Sequence, residues 1–387
     1  MAEGSPRGFS VIVCVHTEER WQDILDAVAS LGAQSLPPLE ILLVVDHHPV
    51  LLERLEHRFA DGPPQVRVMP NAGPRGLSAG RNTGVGAARG EWVAFLDDDA
   101  VADPDWLRHL AAGYADPGVL AVGGRTEPRW ESGRRPGWFP EEFDWVVGCT
   151  YRGHPSGRAR VRNVLGGNAS FRRSAFGLAG GFALGIGRDG GRQPLGGEET
   201  EFCVRLTRVR PDAVLLVDDR AVIHHRVPRA RERFAYFRSR TWAEGLSKAL
   251  VARSVGAGAG LSSERRHTTR VLPAAVARGL ADALRGRPGG AARAGAVLVG
   301  TAAAAGGYLA GSWRARRAVA PRFTVPGSPG PARRRGPPAP PRRPGHERRP
   351  VEPVPTGRRH RRRKGGARPC RGSGRPAGRA ADPRCRS

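Results

Sequence analysis

Apolar residues in the first hundred positions fall into two kinds of run that alternate. Phe9 to Val15 is a continuous β-rich run, Glu40 to Val45 a second that ends at Asp46, Val66 to Met69 a short third, and Trp92 to Leu96 a fourth. Between them Trp21, Ile24, Leu25, Val28 and Leu31 recur at helical spacing, and Val50 to Phe59 repeats the pattern. Strands that are apolar on both faces and separated by helices predict an α/β fold with a parallel sheet covered on both sides. Ligands of such sheets sit at the carboxyl ends of the strands. His16, Thr17 and Glu18 after the first strand, Asp46 after the second, and Asp97, Asp98 and Asp99 after the fourth should therefore converge on one crevice.

Further on the pattern loosens, from Leu120 to Val164, with Trp130, Trp138 and Trp145 among Pro, Gly and Arg. Order returns at GGNASFRRSAF (Gly166 to Phe176) and at GGEETEFCVRL (Gly196 to Leu206). An apolar strand over Val214 to Val217 precedes the pair His224 and His225, and Phe234 to Val251 reads as a helix. Two Ala/Gly-rich segments follow, Val271 to Leu284 and Ala294 to Trp313. The second holds 20 uncharged residues between Arg293 and Arg314, nominally a bilayer's width, but it is poor in bulky side chains. An interfacial or peripheral helix is expected rather than a span.

Composition separates the end of the chain from the rest. Residues 313 to 387 hold 23 Lys and Arg against 3 Asp and Glu and 15 of the 34 prolines, so only +7 of the net +27 belongs to the other 312 residues. With almost no large apolar residues this tail cannot offset its ordering entropy, and disorder is predicted. The expected organisation is an α/β domain over 1–250, a helical and membrane-associated segment over 251–313, and a Pro/Arg-rich tail over 314–387. The tail's charge runs could serve a non-enzymatic protein that binds nucleic acid or anionic membrane, a reading in which deletion of residues 314–387 abolishes function. Five cysteines with no metal-like pairing argue for a reducing compartment. The N-terminal apolar run is too short for a signal peptide, so export is not expected.

The strongest chemical signal is WVAFLDDDAVADPDWL, Trp92 to Leu107. Three successive carboxylates repel one another, and a hard divalent cation or a ligand would compensate them. The alternative is an acidic turn in which Asp103 and Pro104 open the next helix. A nicotinamide-dependent oxidoreductase would need G-x-G-x-x-G after the first strand, where this chain has VHTEER.

Taken together, FSVIVCVHTEERWQDILDAVASL, ILLVVDHHP, GLSAGRNTGVGAARGEWVAFLDDDA and GGEETEFCVRL resemble the family 2 glycosyltransferases over roughly residues 9 to 250. The resemblance implies the GT-A fold, a mostly parallel central sheet flanked by helices, and hexosyl transfer from a nucleotide-diphosphate sugar. It implies that Thr17 and Glu18 lie against the nucleoside, that Asp46 hydrogen-bonds the base, and that Arg81 and Asn82 border the donor site. Asp97 and Asp99 would be the DXD motif, Asp97 facing the ribose or sugar and Asp99 ligating Mg²⁺ or Mn²⁺, with Asp98 a further donor contact. Glu199 inherits the general base from a position that is usually aspartate, with Glu198 beside it. His225 would be a further metal ligand, and Gly167 and Asn168 would line the sugar. The TEER turn and Glu199 depart from the commoner forms. The partners implied are the nucleotide sugar and a saccharide or lipid-linked acceptor, with nucleic acid not expected. An envelope-polysaccharide role at the cytoplasmic side of the plasma membrane follows.

Overall fold

Among the described residues, nine strands form one mixed sheet in the order β3-β2-β1-β4-β8-β6-β9-β5, with β7 paired to β9. The computed structural model describes residues 7–62, 65–184, 196–255 and 267–317; the basic tail beyond Arg317 lies outside them. The four runs read from the apolar pattern are β1 (Phe9–Val15), β2 (Glu40–Val45), β3 (Val66–Pro70) and β4 (Trp92–Leu96), all mutually parallel. Helices α1 (Trp21–Gly32), α2 (Pro49–Phe59) and α3 (Leu77–Ala87) connect them. Every residue of β2 is buried, as a strand covered on both faces requires.

The second half of the sheet departs from the parallel expectation. β5 (Ala100–Ala102), β7 (Arg158–Arg160) and β8 (Asn168–Arg172) all pair antiparallel to their neighbours, while β6 (Val119–Trp130) and β9 (Val214–Val227) run parallel to each other. The long β6 lies inside the stretch whose pattern loosens. Its apolar half ends at Gly123 and Gly124, where a Cβ on Gly124 would stand 2.0 Å from the Ala221 carbonyl oxygen. Glycine there lets the strands approach and also erases the alternation by which a strand is read.

His224 and His225 fall inside β9, not after it. The polar run Asp218, Asp219, Arg220 disguises the strand's continuation, because Asp218 is wholly buried and accepts from Arg158 and Arg220. Two further helices cover the sheet, α4 (Trp106–Gly113) and the short α5 (Ser174–Ala179), and α6 (Glu198–Val209) opens at Gly197, whose φ of 99° suits glycine. The helix after the acidic run starts at Trp106 with Asp105 before it, so Asp103 is free to meet His224.

Beyond the sheet, α7 (Phe234–Val255), α8 (Leu272–Leu284) and α9 (Gly290–Arg317) join the same compact unit, Met1–Ala332. The Ala/Gly composition has a packing reason. A Cβ on Gly245 would stand 2.2 Å from the Ala304 carbonyl oxygen and one on Gly307 2.1 Å from that of Trp242, so α7 and α9 touch backbone to backbone. Phe139, Phe143 and Phe237 fill the space beneath, with Trp138 edge-on to Phe237 at 5.5 Å.

Candidate active site

Parallel pairing puts the carboxyl ends of β1, β2 and β4 on one edge, and the antiparallel neighbours bring the rest of the site to it. Leu96 pairs with Asn168, which delivers Gly166 and Gly167 to Asp97; Ala100 pairs with His225, which delivers that imidazole to Asp99. Donor atoms of Asp97, Asp99 and His225 all lie within 4.8 Å of one another. Side chains alternate along a strand, so His224 points the other way, to Asp103 at 2.9 Å.

The acidic run is charge-balanced by groups that the apolar pattern does not reveal. Arg20 donates to Asp98 at 2.5 Å and stands 3.1 Å from Asp99, and Arg231 lies 3.8 Å from Asp99. Burial pushes the Asp98 carboxyl up to about 7, with Arg20 opposing and the two neighbouring aspartates assisting. Burial also opposes the charge of Asp99, but His225, Arg20 and Arg231 outweigh it and hold that carboxyl well below the usual range. Asp99 is thus an anion, and Asp98 titrates close to neutral pH.

Arg81 ties the two halves of the site together. It is buried, donates to Glu198 at 2.9 Å and to the Gly166 carbonyl at 3.0 Å, and stands 3.8 Å from Asp97. The Gly166–Gly167 strap leaves room for both charged groups: a Cβ on Gly167 would stand 2.3 Å from Asp97 Oδ2 and displace that carboxylate, and one on Gly166 would stand 3.0 Å from Arg81 Nη1. Glu198 and Glu199 begin α6 and line a cavity of about 480 Å³ with Asp97 and Arg81. Burial, reinforced by Glu198 and opposed by Arg81, pushes the Glu199 carboxyl up to about 8.

Other residues singled out in the sequence have partners of their own. Thr17 accepts from the Glu19 amide, and Glu18 from Arg54 at 3.3 Å. Asp46 accepts from the Gly76 amide at 3.0 Å, at the N-terminus of α3, and from Asn71 at 2.7 Å. Asn82 clasps the Phe182 backbone through both its amide nitrogen and its oxygen. Asn168 is wholly buried, with its oxygen on Trp106 Nε1 and its nitrogen on the Arg125 and Ala221 carbonyls, so its side chain braces the sheet and does not reach the cavity. Arg20 was hidden because an arginine just before a helix reads as surface charge. Arg231 was hidden in the run RVPRARER.

The chain belongs to glycosyl transferase family 2, whose profile matches residues 10–178. It is a glycosyltransferase that uses a nucleotide-activated sugar. It is 35% identical over 243 residues to the glucosyl-dolichyl phosphate glucuronosyltransferase of Haloferax volcanii, an alignment that covers 62% of this chain and 76% of that protein. It is 26% identical over 246 residues to the succinoglycan biosynthesis protein ExoM of Rhizobium meliloti, covering 60% of this chain and 71% of ExoM. Among solved structures, the mannosyltransferase PcManGT from Pyrobaculum calidifontis, in complex with GDP-Man and Mn²⁺, matches at TM-score 0.49 and 20% identity over 81% of this chain and 88% of that one.

Proposed function

We propose that the chain catalyses an inverting, divalent-cation-dependent transfer of a hexosyl group from a nucleotide-diphosphate sugar to a hydroxyl of a saccharide or lipid-linked acceptor. The observation that carries this reading is the meeting of Asp97, Asp99 and His225 at the edge of the cavity that Glu199 lines. Two carboxylates and an imidazole fit a small divalent ion, and the nitrogen donor favours Mn²⁺ over Mg²⁺. The imidazole presents its Nε2 to this pair, 3.1 Å from Asp99 Oδ1. When bound, the cation stabilises the charge that develops on the departing diphosphate.

This chain's residues perform the remaining work. Glu199, once ionised, takes the proton from the acceptor hydroxyl as its oxygen bonds to the anomeric carbon. The bond from that carbon to the diphosphate oxygen breaks, and the nucleoside diphosphate leaves with the electron pair. One displacement inverts the anomeric centre and needs no covalent nucleophile. Arg81 holds Glu198 beside Glu199 and faces Asp97, so the donor and acceptor ends are positioned by one guanidinium. Thr17, Glu18 and Asp46, at the carboxyl edge of β1 and β2, form the nucleoside end, Asn82 on α3 borders the donor site by holding the Phe182 backbone, and Gly167 lies at the sugar.

A lipid-linked acceptor agrees with the outer surface of α9 and with the glucosyl-dolichyl phosphate in the Haloferax relative's name; ExoM's name agrees with an envelope polysaccharide. Helix α9 is long and apolar enough between Gly290 and Trp313 to cross a membrane by length and composition. One of its sides is committed to α7, so we infer a peripheral contact at the cytoplasmic face of the plasma membrane, made by Leu298, Leu309 and Trp313 at 59%, 68% and 55% exposure. The transferase reading is tested by a thermal-shift screen of nucleotide sugars with and without Mn²⁺, followed by assignment of the product's anomeric configuration by NMR. A product that retains the donor's configuration overturns the single displacement.

A further inference from the structure

Arg231 is a cation in the site that no carboxylate holds by a hydrogen bond. Both oxygens of Asp99 have closer partners: His225 Nε2 lies 3.1 Å from Oδ1 and Arg20 Nη1 lies 3.1 Å from Oδ2. Arg231 Nη2 stands off at 3.8 Å from Oδ2, although its side chain is only 14% exposed. Among the described residues its guanidinium makes no hydrogen bond. Its neighbours Arg229 and Arg233 are exposed, so Arg231 is the arginine of this run that turns inward.

The backbone fixes that placement. Arg231 lies in the single turn Arg229–Glu232 that follows β9. The turn is tied to the chain beyond β6 at two points: the Arg229 amide donates to Glu131 at 3.0 Å, and Glu232 accepts from the Ser132 amide at 3.0 Å. The Arg231 amide donates to the Pro228 carbonyl at 2.8 Å. A guanidinium carried on backbone held in this way is in place before a ligand arrives. Arg20 reaches the same Asp99 oxygen from the turn Glu18–Arg20 after β1.

A largely buried cation with unused N–H donors fits an anion, and a guanidinium pairs with phosphate oxygens through parallel hydrogen bonds. In the transfer, Asp97 and Asp99 match the divalent cation, which leaves the anionic oxygens of the donor diphosphate to other groups. We propose that Arg231, together with Arg20, holds the donor's diphosphate, which makes Arg231 a catalytic residue at the leaving group. This rests on the glycosyltransferase reading. As the bond from the anomeric carbon to the diphosphate oxygen breaks, the electron pair stays on that oxygen. The Arg231 N–H groups donate to the diphosphate, and no proton is transferred. The same placement couples two ligands, because Arg231 repels a cation that comes to Asp99 alone and is neutralised once a diphosphate is bound.

The test uses the full chain and isothermal titration. Wild type and Arg231→Met are titrated with Mn²⁺ alone, and then, with Mn²⁺ present, with a panel of nucleoside diphosphates and the matching nucleosides. In Arg231→Met the affinity for the nucleoside diphosphate that the wild type binds should fall about ten- to a hundredfold, the loss of charge-assisted hydrogen bonds. Affinity for the matching nucleoside should be unchanged, and affinity for Mn²⁺ alone should hold or rise. Arg231→Lys keeps the charge without the fork, so it should recover part of the nucleoside diphosphate affinity and melt like the wild type. A role confined to packing would weaken Mn²⁺ and nucleoside binding along with the diphosphate, and that result overturns the proposal. So does a Met variant that binds the nucleoside diphosphate as the wild type does. A wild type that binds no nucleoside diphosphate with Mn²⁺ brings down the transferase reading itself, and this proposal with it.

Discussion

Arg81 donates to Glu198 across 2.9 Å, and both side chains are almost wholly buried. Desolvation of the pair is offset only while both partners are present, so removing one leaves an uncompensated charge. Arg81→Ala should lower unfolding stability by about 3 kcal/mol, by denaturant titration. Adding Glu198→Gln to it should cost less than the sum of the single changes, because the orphaned carboxylate is gone. Strict additivity would show that the two side chains do not act as a unit.

Asp99 is held as an anion by His225, Arg20 and Arg231. Asp99→Asn keeps the volume and the hydrogen-bonding reach but removes the charge that a cation needs. The wild type's melting temperature should rise when Mn²⁺ is added with a nucleoside diphosphate, and the variant's rise should vanish. Turnover should fall at least about a hundredfold, in the range found when one electrostatic contact to a developing charge is removed. Full activity of Asp99→Asn in the presence of a chelator would remove the metal from the reaction.

Much of this site could be read from residue order. The four apolar runs and their polar ends placed Asp46 and Asp97 to Asp99 on one edge, because parallel strands can end only on the same side. The partners of those residues were not legible. Arg20 meets Asp98 through tertiary contact across 78 positions, and no periodicity marks such a pair. His225 was visible as a residue, but its role depends on β5 pairing with β9, and β9 was concealed by the Asp218 ion cluster. Asn168 shows the opposite failure. It lies beside Gly167 in the chain, yet strand alternation turns its side chain inward to Trp106. Its neighbour at the cavity is Gly167, whose missing side chain makes room for Asp97.

Glu199 gives the reaction a pH signature. Its carboxyl is pushed up to about 8 by burial and by Glu198, so the proposed base is mostly protonated at pH 7. The rate constant kcat/KM should climb about tenfold per pH unit below that value and level off above it. The same shift has a stability consequence. A carboxyl whose folded pKa lies above its unfolded value contributes stability fully below the unfolded pKa of 4.5, and this is lost as pH rises towards 8. Glu199→Gln should therefore melt higher than the wild type at pH 9 and alike near pH 4, while losing about a hundred- to ten-thousandfold in turnover. A flat pH–rate profile together with an active Gln variant would move the base elsewhere.

The outer face of α9 makes the last prediction. Leu298, Val299, Ala302, Ala305, Leu309 and Trp313 recur at helical spacing and are all exposed, with no charge between Arg293 and Arg314. A soluble surface would place polar residues there, because the opposite face already supplies the contacts with α7. Leu298→Glu/Leu309→Glu leaves those contacts intact and puts two carboxylates where acyl chains would lie. Flotation with vesicles of anionic phospholipid should recover the wild type and leave the variant in solution. Turnover of a short-chain soluble acceptor should be the same in both, since neither Leu298 nor Leu309 lines the Glu199 cavity. Equal flotation would show that the membrane is held by another part of the chain. A matching loss of soluble turnover would mean that the substitutions had disturbed the α7–α9 packing. Circular dichroism and a melting curve separate that outcome from loss of membrane contact, because the Gly245 and Gly307 approach leaves little room for the helices to shift without unfolding.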